Sequence, residues 1–304
     1  MRVVFMGTPA FAATCLARIS DEGFDIVGVY TKIDTPKNRG MKMTVSEVKA
    51  LALEKGYPVF QPTGFRDDAV YEELKTLAPD VIVAVAYGKI LPQRVLDIPR
   101  LGCINIHGSI LPALRGAAPV QWAVLNGLPE TGVTAMYMSA GMDEGDIIEI
   151  RKTPIDPGET AGQLMERLAL IGADLLCDTL KRMEQGRVPA VPQEASLATY
   201  APMLTKDLSP IDWTKTAREI VCQIHGLDPW PAATAELDGT HFKIFGAEPD
   251  GAVTDKTPGT PVALTKKGLT VACKDGCVLL TELQADGGKR MRAPDYFRGH
   301  PIRI

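Results

Sequence analysis

The sequence predicts an α/β protein with a doubly wound, mostly parallel sheet, followed by a small C-terminal β-barrel of the OB type. Two observations predict the sheet. Short runs rich in β-branched residues alternate with longer segments of helical spacing, and the runs are apolar throughout, as in strands covered on both faces. A third observation predicts the barrel: after Trp213 the runs become short and are separated by glycine and proline.

Each predicted element follows from its own pattern. Apolar, β-branched runs predict strands at 2–6, 25–31, 80–86, 102–106, 132–138 and 145–155. Apolar residues at helical spacing predict helices at 11–20, 44–56, 67–77, 118–128 and 160–186. In the last third, a helical segment at 214–225 precedes predicted strands at 232–237, 241–248, 260–265, 268–273 and 276–283. We therefore divide the chain into a domain at 1–188, a proline-rich linker at 189–206 and a barrel domain at 207–304.

Composition limits the classes of function. The 304 residues carry a formal net charge of −4, so any nucleic-acid contact has to come from local basic patches. The six cysteines form no CxxC pair, which disfavours a zinc site and is typical of free thiols in a reducing compartment. Gly7 and Pro9 interrupt the first apolar run, and the run Val81–Ala86 is far too short for a membrane helix. We expect a cytoplasmic protein with no metal and no membrane segment, and nothing requires more than a monomer.

Polar residues follow the predicted strand at 102–106, at the sheet edge where ligands of doubly wound folds bind. The first strand-to-helix turn contains only Gly7 and lacks the GxGxxG motif that holds a pyrophosphate, so no nicotinamide cofactor is expected. Asn105 and His107 lie two positions apart on one strand. Their side chains therefore project the same way, with Cα atoms roughly 6 to 7 Å apart.

Asn105 and His107 suit a reaction in which negative charge develops on an oxygen while a proton moves. The asparagine amide donates hydrogen bonds without titrating, and the imidazole both donates and accepts a proton near neutrality. Asp143, in a glycine-containing loop, is a candidate to orient the imidazole, and Glu144 and Asp146 are rivals for that role. A structural histidine and an ordinary turn aspartate remain the alternative interpretation.

At these residues the chain resembles the folate-dependent formyltransferase superfamily. The shared pattern is Asn-x-His, a Ser-Leu-Leu-Pro-x-x-Arg-Gly loop and a downstream aspartate, matched here by Asn105, His107, the segment 109–116 and Asp143. The resemblance covers nearly the whole chain, from FMGTPAF at the start through NIHGSILPALRGAAPVQWAVLNG and PWPAA to RMRAPDYFRGHPI at the end. Gly108 and Ile110 depart from the usual pattern, and neither is a proposed catalytic group.

The resemblance implies an activity and a set of site residues. It implies formyl transfer from 10-formyltetrahydrofolate to the α-amino group of methionine carried by initiator tRNA, with Asn105, His107 and Asp143 as the catalytic residues. It also implies a folate site built from two loops. The residues of these loops are Ser109, Ile110, Leu111 and Pro112 in the first, and Ala86, Tyr87, Gly88 and Ile90 in the second.

Two basic segments are the expected tRNA contacts. The segment 31–44 follows the second predicted strand, and in the tRNA-acting members an insertion at this place contacts the acceptor stem; its candidate residues are Lys37, Arg39 and Lys42. The C-terminal candidates are Lys289, Arg290 and Arg292, on the rim of the predicted barrel.

Two other functions remain open at this point. A formyltransferase acting on a nucleotide-linked amino sugar would share the catalytic residues but would not need the basic segments. A non-catalytic RNA-binding protein would use the α/β domain as a scaffold, and it would have no reason to keep the three catalytic residues.

Overall fold

A seven-stranded, mostly parallel sheet lies at the centre of the N-terminal two-thirds of the chain. The computed structural model describes residues 1–37 and 42–304, with the backbone alone for residues 36, 37, 42 and 43. The strands are β1 Arg2–Gly7, β2 Asp25–Tyr30, β3 Thr35–Lys37, β4 Lys42–Thr44, β5 Val59–Phe60, β6 Val81–Val85, β7 Cys103–His107, β8 Arg115–Gly116, β9 Glu130–Tyr137, β10 Ile147–Pro154 and β11 Tyr200–Ala201. The helices are α1 Ala10–Asp21, α2 Glu47–Glu54, α3 Asp68–Thr76, α4 Gln93–Leu96, α5 Pro119–Leu125 and α6 Ala161–Met183.

The strand order confirms the predicted doubly wound topology. The central sheet runs β10-β9-β7-β6-β1-β2-β5. The pairs β1·β2, β1·β6, β2·β5 and β6·β7 are parallel, whereas β7·β9 is antiparallel. The carboxyl ends of β1, β6 and β7 therefore meet at one edge, where this class of sheet binds ligands.

Helices cover both faces of the sheet. On one face Gly172 of α6 lies so close to Ile106 of β7 and Phe11 of α1 that an added Cβ would stand 3.1 and 3.3 Å from them. On the other face α3 and α4 pack against β1, β6 and β7 in a core that includes Cys103. Because strand residues two apart share a face, Asn105 and His107 project to the same side as Cys103.

An antiparallel sheet forms the C-terminal part. Its elements are α7 Ala217–Gly226, β12 Ala233–Leu237, β13 Thr240–Asp250, β14 Pro261–Leu264, β15 Leu269–Cys273, β16 Gly276–Ala285, β17 Met291–Arg292 and α8 Ala293–Gly299. The order is β12-β13-β16-β15-β14, with β17 beside β16. All five predicted strands form, but in the part of the chain that the structure describes no pairing joins β12 to β14. The sheet is therefore open, and a closed OB-like barrel is not confirmed.

Capping residues explain where helices begin later than expected. The helix predicted from residue 44 begins at Glu47, because Ser46 accepts a hydrogen bond from the Lys49 amide as N-cap. The helix predicted from residue 214 begins at Ala217, where Thr216 and Glu219 form a capping box. The periodicity located these helices, and the caps set their first residues.

The backbone forms two compact units that do not follow chain order. Unit 1 comprises Met1–Ala117, Gly132–Thr153 and Met165–Ala201. Unit 2 comprises Ala118–Thr131, Pro154–Leu164 and Pro202–Ile304. Its core is built from α7 and the antiparallel sheet, with Ile220, Ile224 and Phe242 fully buried.

Within residues 1–37 and 42–304, no helix is long and apolar enough to cross a membrane.

Candidate active site

Asn105 and His107 lie at the carboxyl end of β7, as predicted. Ala84 of β6 pairs with Asn105 in a parallel register, and Thr134 of β9 pairs with His107 in an antiparallel one. Asn105 is half-buried, and only 6% of His107 is exposed. Both side chains are therefore held by a central strand with neighbours on either side.

Asp143 joins these two residues from the loop between β9 and β10. Its Oδ1 accepts a 3.3 Å hydrogen bond from Asn105 Nδ2, and its Oδ2 lies 3.6 Å from His107 Nδ1. Oδ2 also accepts a 2.8 Å hydrogen bond from the Gly116 amide. One carboxylate thus contacts both strand residues and the loop that follows them.

The two rivals of Asp143 lie elsewhere. Glu144 Oε1 stands 3.5 Å from an Arg115 guanidinium nitrogen, and the Glu144 side chain is 50% exposed. Asp146 contributes its backbone carbonyl, which accepts a hydrogen bond from the Tyr137 amide. The structure therefore brings Asp143, of the three acidic residues, to His107.

The other ring nitrogen of His107 fixes the segment 109–116. His107 Nε2 lies 2.9 Å from the Leu114 carbonyl oxygen, so this nitrogen donates its hydrogen there. Leu114 has φ +60°, Asp143 has φ +55° and Ala86, after β6, has φ +46°. A left-handed backbone raises the conformational energy of a non-glycine residue and is found most often at functional sites. The backbone at this edge of the sheet is therefore strained.

Hydrogen bonds within the protein hold the backbone of the Ser109–Pro112 stretch. Ser109 Oγ donates to the Ala113 carbonyl at 2.6 Å. Thr134 Oγ1 donates to the Ser109 carbonyl at 2.6 Å and accepts from the Leu111 amide at 3.2 Å. The Leu111–Pro112 peptide bond is cis. The loop therefore presents a fixed backbone beside His107.

The second predicted loop, Ala86–Pro92, follows β6 at the same sheet edge. Tyr87 is 3% exposed, and its hydroxyl has no hydrogen-bond partner among the described residues. Burial raises the pKa of this phenol. Ile90, in contrast, is 78% exposed. The loop thus combines a buried hydroxyl that lacks a partner with an exposed apolar side chain.

Cys103 shares the strand but offers no reactive thiol. Its Sγ lies 3.7 Å from the Leu96 carbonyl, and burial raises the pKa of the thiol to about 12. A thiol with so high a pKa carries almost no thiolate at neutral pH. No cluster of three or more His, Cys, Asp or Glu residues able to hold a metal occurs within residues 1–37 and 42–304.

Two family models match this chain. The model described as formyl transferase matches residues 1–180, and the model described as formyl transferase, C-terminal domain, matches residues 203–301. The chain belongs to the formyl transferase family. It is 44% identical over 302 residues to the methionyl-tRNA formyltransferase of Geotalea uraniireducens, a match that covers 99% of this chain and 96% of that protein.

Solved structures share the formyl transferase fold. The sugar 3N-formyl transferase WlaRD, solved with dTDP and 5-N-formyl-THF, superposes with a TM-score of 0.68 at 20% identity, over 92% of this chain and 97% of that one. HypX from Aquifex aeolicus in complex with tetrahydrofolic acid superposes with a TM-score of 0.65 at 19% identity, over 98% of this chain. The match covers 47% of HypX, so this chain spans about half of that protein. At these identities the likeness shows the fold alone.

The structure describes only some of the basic residues that the sequence predicts to contact tRNA. Arg39 lies outside the described residues, and Lys37 and Lys42 form a backbone pair in the β3–β4 hairpin. Lys289 and Arg292 are exposed, and Arg292 donates to the Lys266 carbonyl at 2.9 Å. Both of these C-terminal side chains are therefore open to solvent.

Arg290, the third C-terminal candidate, is held by internal contacts. Its guanidinium lies 3.1 Å from Asp228, 2.7 Å from Glu282 and 4.2 Å from the centre of the Phe245 ring. Only 7% of the Asp228 side chain is exposed. Arg290 therefore neutralises a buried carboxylate, a role that charge counting along the sequence does not reveal.

Sequence reasoning missed Gln193 and Thr199. Gln193 donates to the Asp143 and Gly145 carbonyls, both at 2.8 Å, and accepts from Arg115. Thr199 Oγ1 accepts a 2.9 Å hydrogen bond from the Leu114 amide. Both lie in the segment predicted as a linker, which has little periodicity. No signal in the sequence marks them, because the same stretch also contains the polar residues Glu194, Ser196 and Thr205.

Proposed function

We propose that this protein transfers a formyl group from 10-formyltetrahydrofolate to the α-amino group of methionyl-initiator tRNA. The observation that carries the proposal is the convergence of Asn105 and His107 on one Asp143 carboxylate, at 3.3 and 3.6 Å. The acceptor is inferred from the full-length relatives, which are named methionyl-tRNA formyltransferase. N-formylmethionyl-tRNA for translation initiation is then the product.

Asn105 and His107 stabilise the negative charge that develops on the formyl oxygen. The donor supplies the formyl group, and the amine of the acceptor attacks its carbon. Asn105 Nδ2 carries two hydrogens, and one bond to Asp143 Oδ1 leaves the second available. Donors placed in advance at such an oxygen typically contribute about 3 kcal/mol each to transition-state stabilisation.

His107 and Asp143 handle the proton that the amine loses. Nε2 donates its hydrogen to the Leu114 carbonyl, so Nδ1, which faces the Asp143 carboxylate, is the ring nitrogen that can exchange a proton with the reactants. Nδ1 takes up the proton that the amine loses and gives it to the departing folate nitrogen, which has to be protonated before tetrahydrofolate leaves. The Gly116 amide holds Asp143 in place during this step.

The two loops at the sheet edge fit a folate. A pterin ring needs hydrogen-bonding groups in an otherwise apolar slot. The Tyr87 hydroxyl is buried without a hydrogen-bond partner in the described part of the chain. Hydrogen bonds to Thr134 hold the backbone of the other loop, which contains Ser109, Ile110, Leu111 and Pro112. Ala86, Gly88 and Ile90 would complete the slot.

The tRNA is proposed to contact Lys37, Arg39 and Lys42 in unit 1 and Lys289, Arg290 and Arg292 in unit 2. Exposure of Lys289 and Arg292 supports the second set. Phosphate contacts of this kind position a nucleic acid without reading its sequence. Discrimination of the initiator tRNA therefore needs further contacts near the acceptor end.

The proposed organisation is a catalytic domain at 1–188, a linker at 189–206 and a tRNA-binding domain at 207–304. The separate family matches to residues 1–180 and 203–301 support this division. The OB-like barrel stays part of the proposal, supported by five antiparallel strands with α7 packed on them. We also propose a monomer, since nothing in the sequence requires a larger assembly. A cytoplasmic location is proposed because charged tRNA is used where translation takes place.

Formyl transfer to three acceptors tests the proposal. The purified chain is incubated with 10-formyltetrahydrofolate and methionyl-initiator tRNA, the same tRNA uncharged, or an amino-sugar nucleotide. We expect rapid formylation of the charged tRNA only. Transfer only to the sugar would keep the three catalytic residues and replace the acceptor. Transfer to none would favour the RNA-binding scaffold.

A further inference from the structure

Gln193 links the two loops that carry the active-site residues. It lies half-buried between β10 and β11, in the segment that precedes the β11–β8 pair. Its Nε2 donates to the carbonyls of Asp143 and Gly145 at 2.8 Å each. Its Oε1 accepts from Arg115 Nε at 3.1 Å and from an Arg115 terminal nitrogen at 2.8 Å. These four hydrogen bonds end on the two loops, and Nε2 also lies 3.9 Å from Met136 Sδ of β9.

Arg115 is a rigid anchor for this contact. Only 4% of the residue is exposed, and its backbone is fixed because its amide donates to the Thr199 carbonyl at 2.8 Å. The next amide, that of Gly116, donates to Asp143 Oδ2. Gln193 therefore connects the same two points, Asp143 and the segment 115–116, by a second route.

The Asp143 backbone needs such support. Its φ of +55° is a left-handed conformation, which is unfavourable at a non-glycine residue unless the surroundings hold it. Gln193 holds the carbonyl of this very residue and the carbonyl two positions later. An amide side chain suits the task because one end supplies two donors and the other an acceptor, which neither a carboxylate nor an apolar residue does.

We propose that Gln193 is a positioning residue for Asp143. It keeps the carboxylate within reach of Asn105 and His107 by fixing the strained Asp143 backbone to Arg115. The proposal rests on the proposed role of Asp143 in formyl transfer. It means that a residue of the segment predicted as a linker contributes to that reaction. Gln193 does not contact the reacting atoms; it acts through Asp143.

A double-mutant cycle tests the proposal. The variants are Gln193→Ala, Gln193→Glu, Asp143→Asn and the double variant Gln193→Ala/Asp143→Asn, with Gln185→Ala as an exposed glutamine control just after α6. Gln193→Glu keeps an oxygen for Arg115 and removes both donors. For each variant, kcat and the KM for the formyl donor are measured with methionyl-tRNA, and the urea midpoint by circular dichroism.

We expect kcat to fall about tenfold in both Gln193 variants with KM nearly unchanged, since a misplaced catalytic group lowers turnover rather than binding. The double variant should be no slower than Asp143→Asn alone. The proposal would be overturned if the losses in kcat of Gln193→Ala and Asp143→Asn multiplied in the double variant. A wild-type kcat in Gln193→Glu would also overturn it. An inactive wild-type protein would instead refute the proposed function.

Amide hydrogen exchange gives a readout that needs no activity. Gln193→Ala should speed exchange of the Gly116 amide, which depends on Asp143, by about tenfold. The neighbouring Ala117 amide donates to the Ala201 carbonyl at 2.9 Å and serves as the internal control. Unchanged protection of Gly116, or equal loss at both amides, contradicts a positioning role.

Discussion

The Gly116 amide donates a 2.8 Å hydrogen bond to Asp143 Oδ2, and the same glycine has φ +118°. A side chain at this position would meet the Ala201 carbonyl oxygen, 2.7 Å from an added Cβ. The glycine is thus required both by its backbone conformation and by the neighbouring strand β11. Because the Gly116 amide donates to Asp143, a change in the backbone at Gly116 would also affect the active site.

Gly116→Ala should therefore lower both stability and turnover. We expect about 2 to 4 kcal/mol of destabilisation, from left-handed strain together with the clash against a backbone oxygen that cannot move freely. Gly186→Ala is the matched control, since Gly186 has φ +129° with nothing within 4 Å of an added Cβ. Urea unfolding followed by circular dichroism compares the two. Equal losses would show that the Ala201 contact contributes nothing.

Asn105→Ala and His107→Ala should each lower kcat at least a hundredfold. Each removes one group that stabilises charge or moves a proton in the transition state, worth about 3 kcal/mol. Single-turnover formyl transfer to methionyl-tRNA measures the effect. His241→Ala, at a 48% exposed histidine of unit 2, is the control and should keep wild-type turnover. Near-normal turnover in either active-site variant contradicts the assignment.

Arg290→Ala should destabilise unit 2, whereas Lys289→Ala should not. Arg290→Ala leaves Asp228 buried without its partner; because Arg290 is 41% exposed, we expect a loss of about 2 kcal/mol rather than the larger value of a fully buried pair. All three tryptophans, Trp122, Trp213 and Trp230, lie in unit 2, so their fluorescence reports its unfolding. An unchanged urea midpoint in Arg290→Ala would contradict a structural role.

Lys289→Ala and Arg292→Ala should weaken tRNA binding in a salt-dependent way. Each lost phosphate contact lowers the slope of log affinity against log salt by about 1. Filter binding of initiator tRNA between low and moderate salt measures the slopes. A slope as steep as that of the wild-type protein in both variants would place the tRNA elsewhere. Lys243→Ala, on β13 and exposed, is the control.

His225 should make the stability of unit 2 depend on pH. Burial lowers the pKa of His225, although Asp228 and a hydrogen bond to the Ala247 backbone act in the opposite direction. A histidine with a lowered pKa binds its proton more readily in the unfolded chain, so stability is complete above about pH 6.5 and falls as the pH drops below that value. Tryptophan fluorescence in urea at about pH 7 and about pH 5.5 tests this.

His225→Phe should flatten that pH dependence, because no proton is then taken up on unfolding at this site. The charged groups near His225 are Asp228 and the Arg290 guanidinium that is paired with it. The slope between the two pH values is compared with that of the wild-type protein. An equally steep decrease in the variant would assign the effect to another group.

Local residue patterns were sufficient to predict the strand that carries Asn105 and His107 and the sheet to which it belongs. The run of Cys103 to Ile106 predicts a buried strand, and the two-residue period of a strand places Asn105 and His107 on one side. Alternation of strands and helices then predicts a parallel sheet with its ligand edge at the carboxyl ends. These inferences hold because they depend on local periodicity, which a short stretch of chain contains in full.

Which side chains contact one another depends on the folded chain and could not be predicted from local patterns. Asp143, Glu144 and Asp146 are equivalent by sequence, and the backbone of one loop brings Asp143 to His107. Arg290 is a basic residue by sequence but is paired with buried Asp228. Gln193 lies in an aperiodic stretch and still holds the Asp143 loop. Such long-range contacts depend on hydrogen bonds between distant segments, and no local pattern of residues specifies their partners.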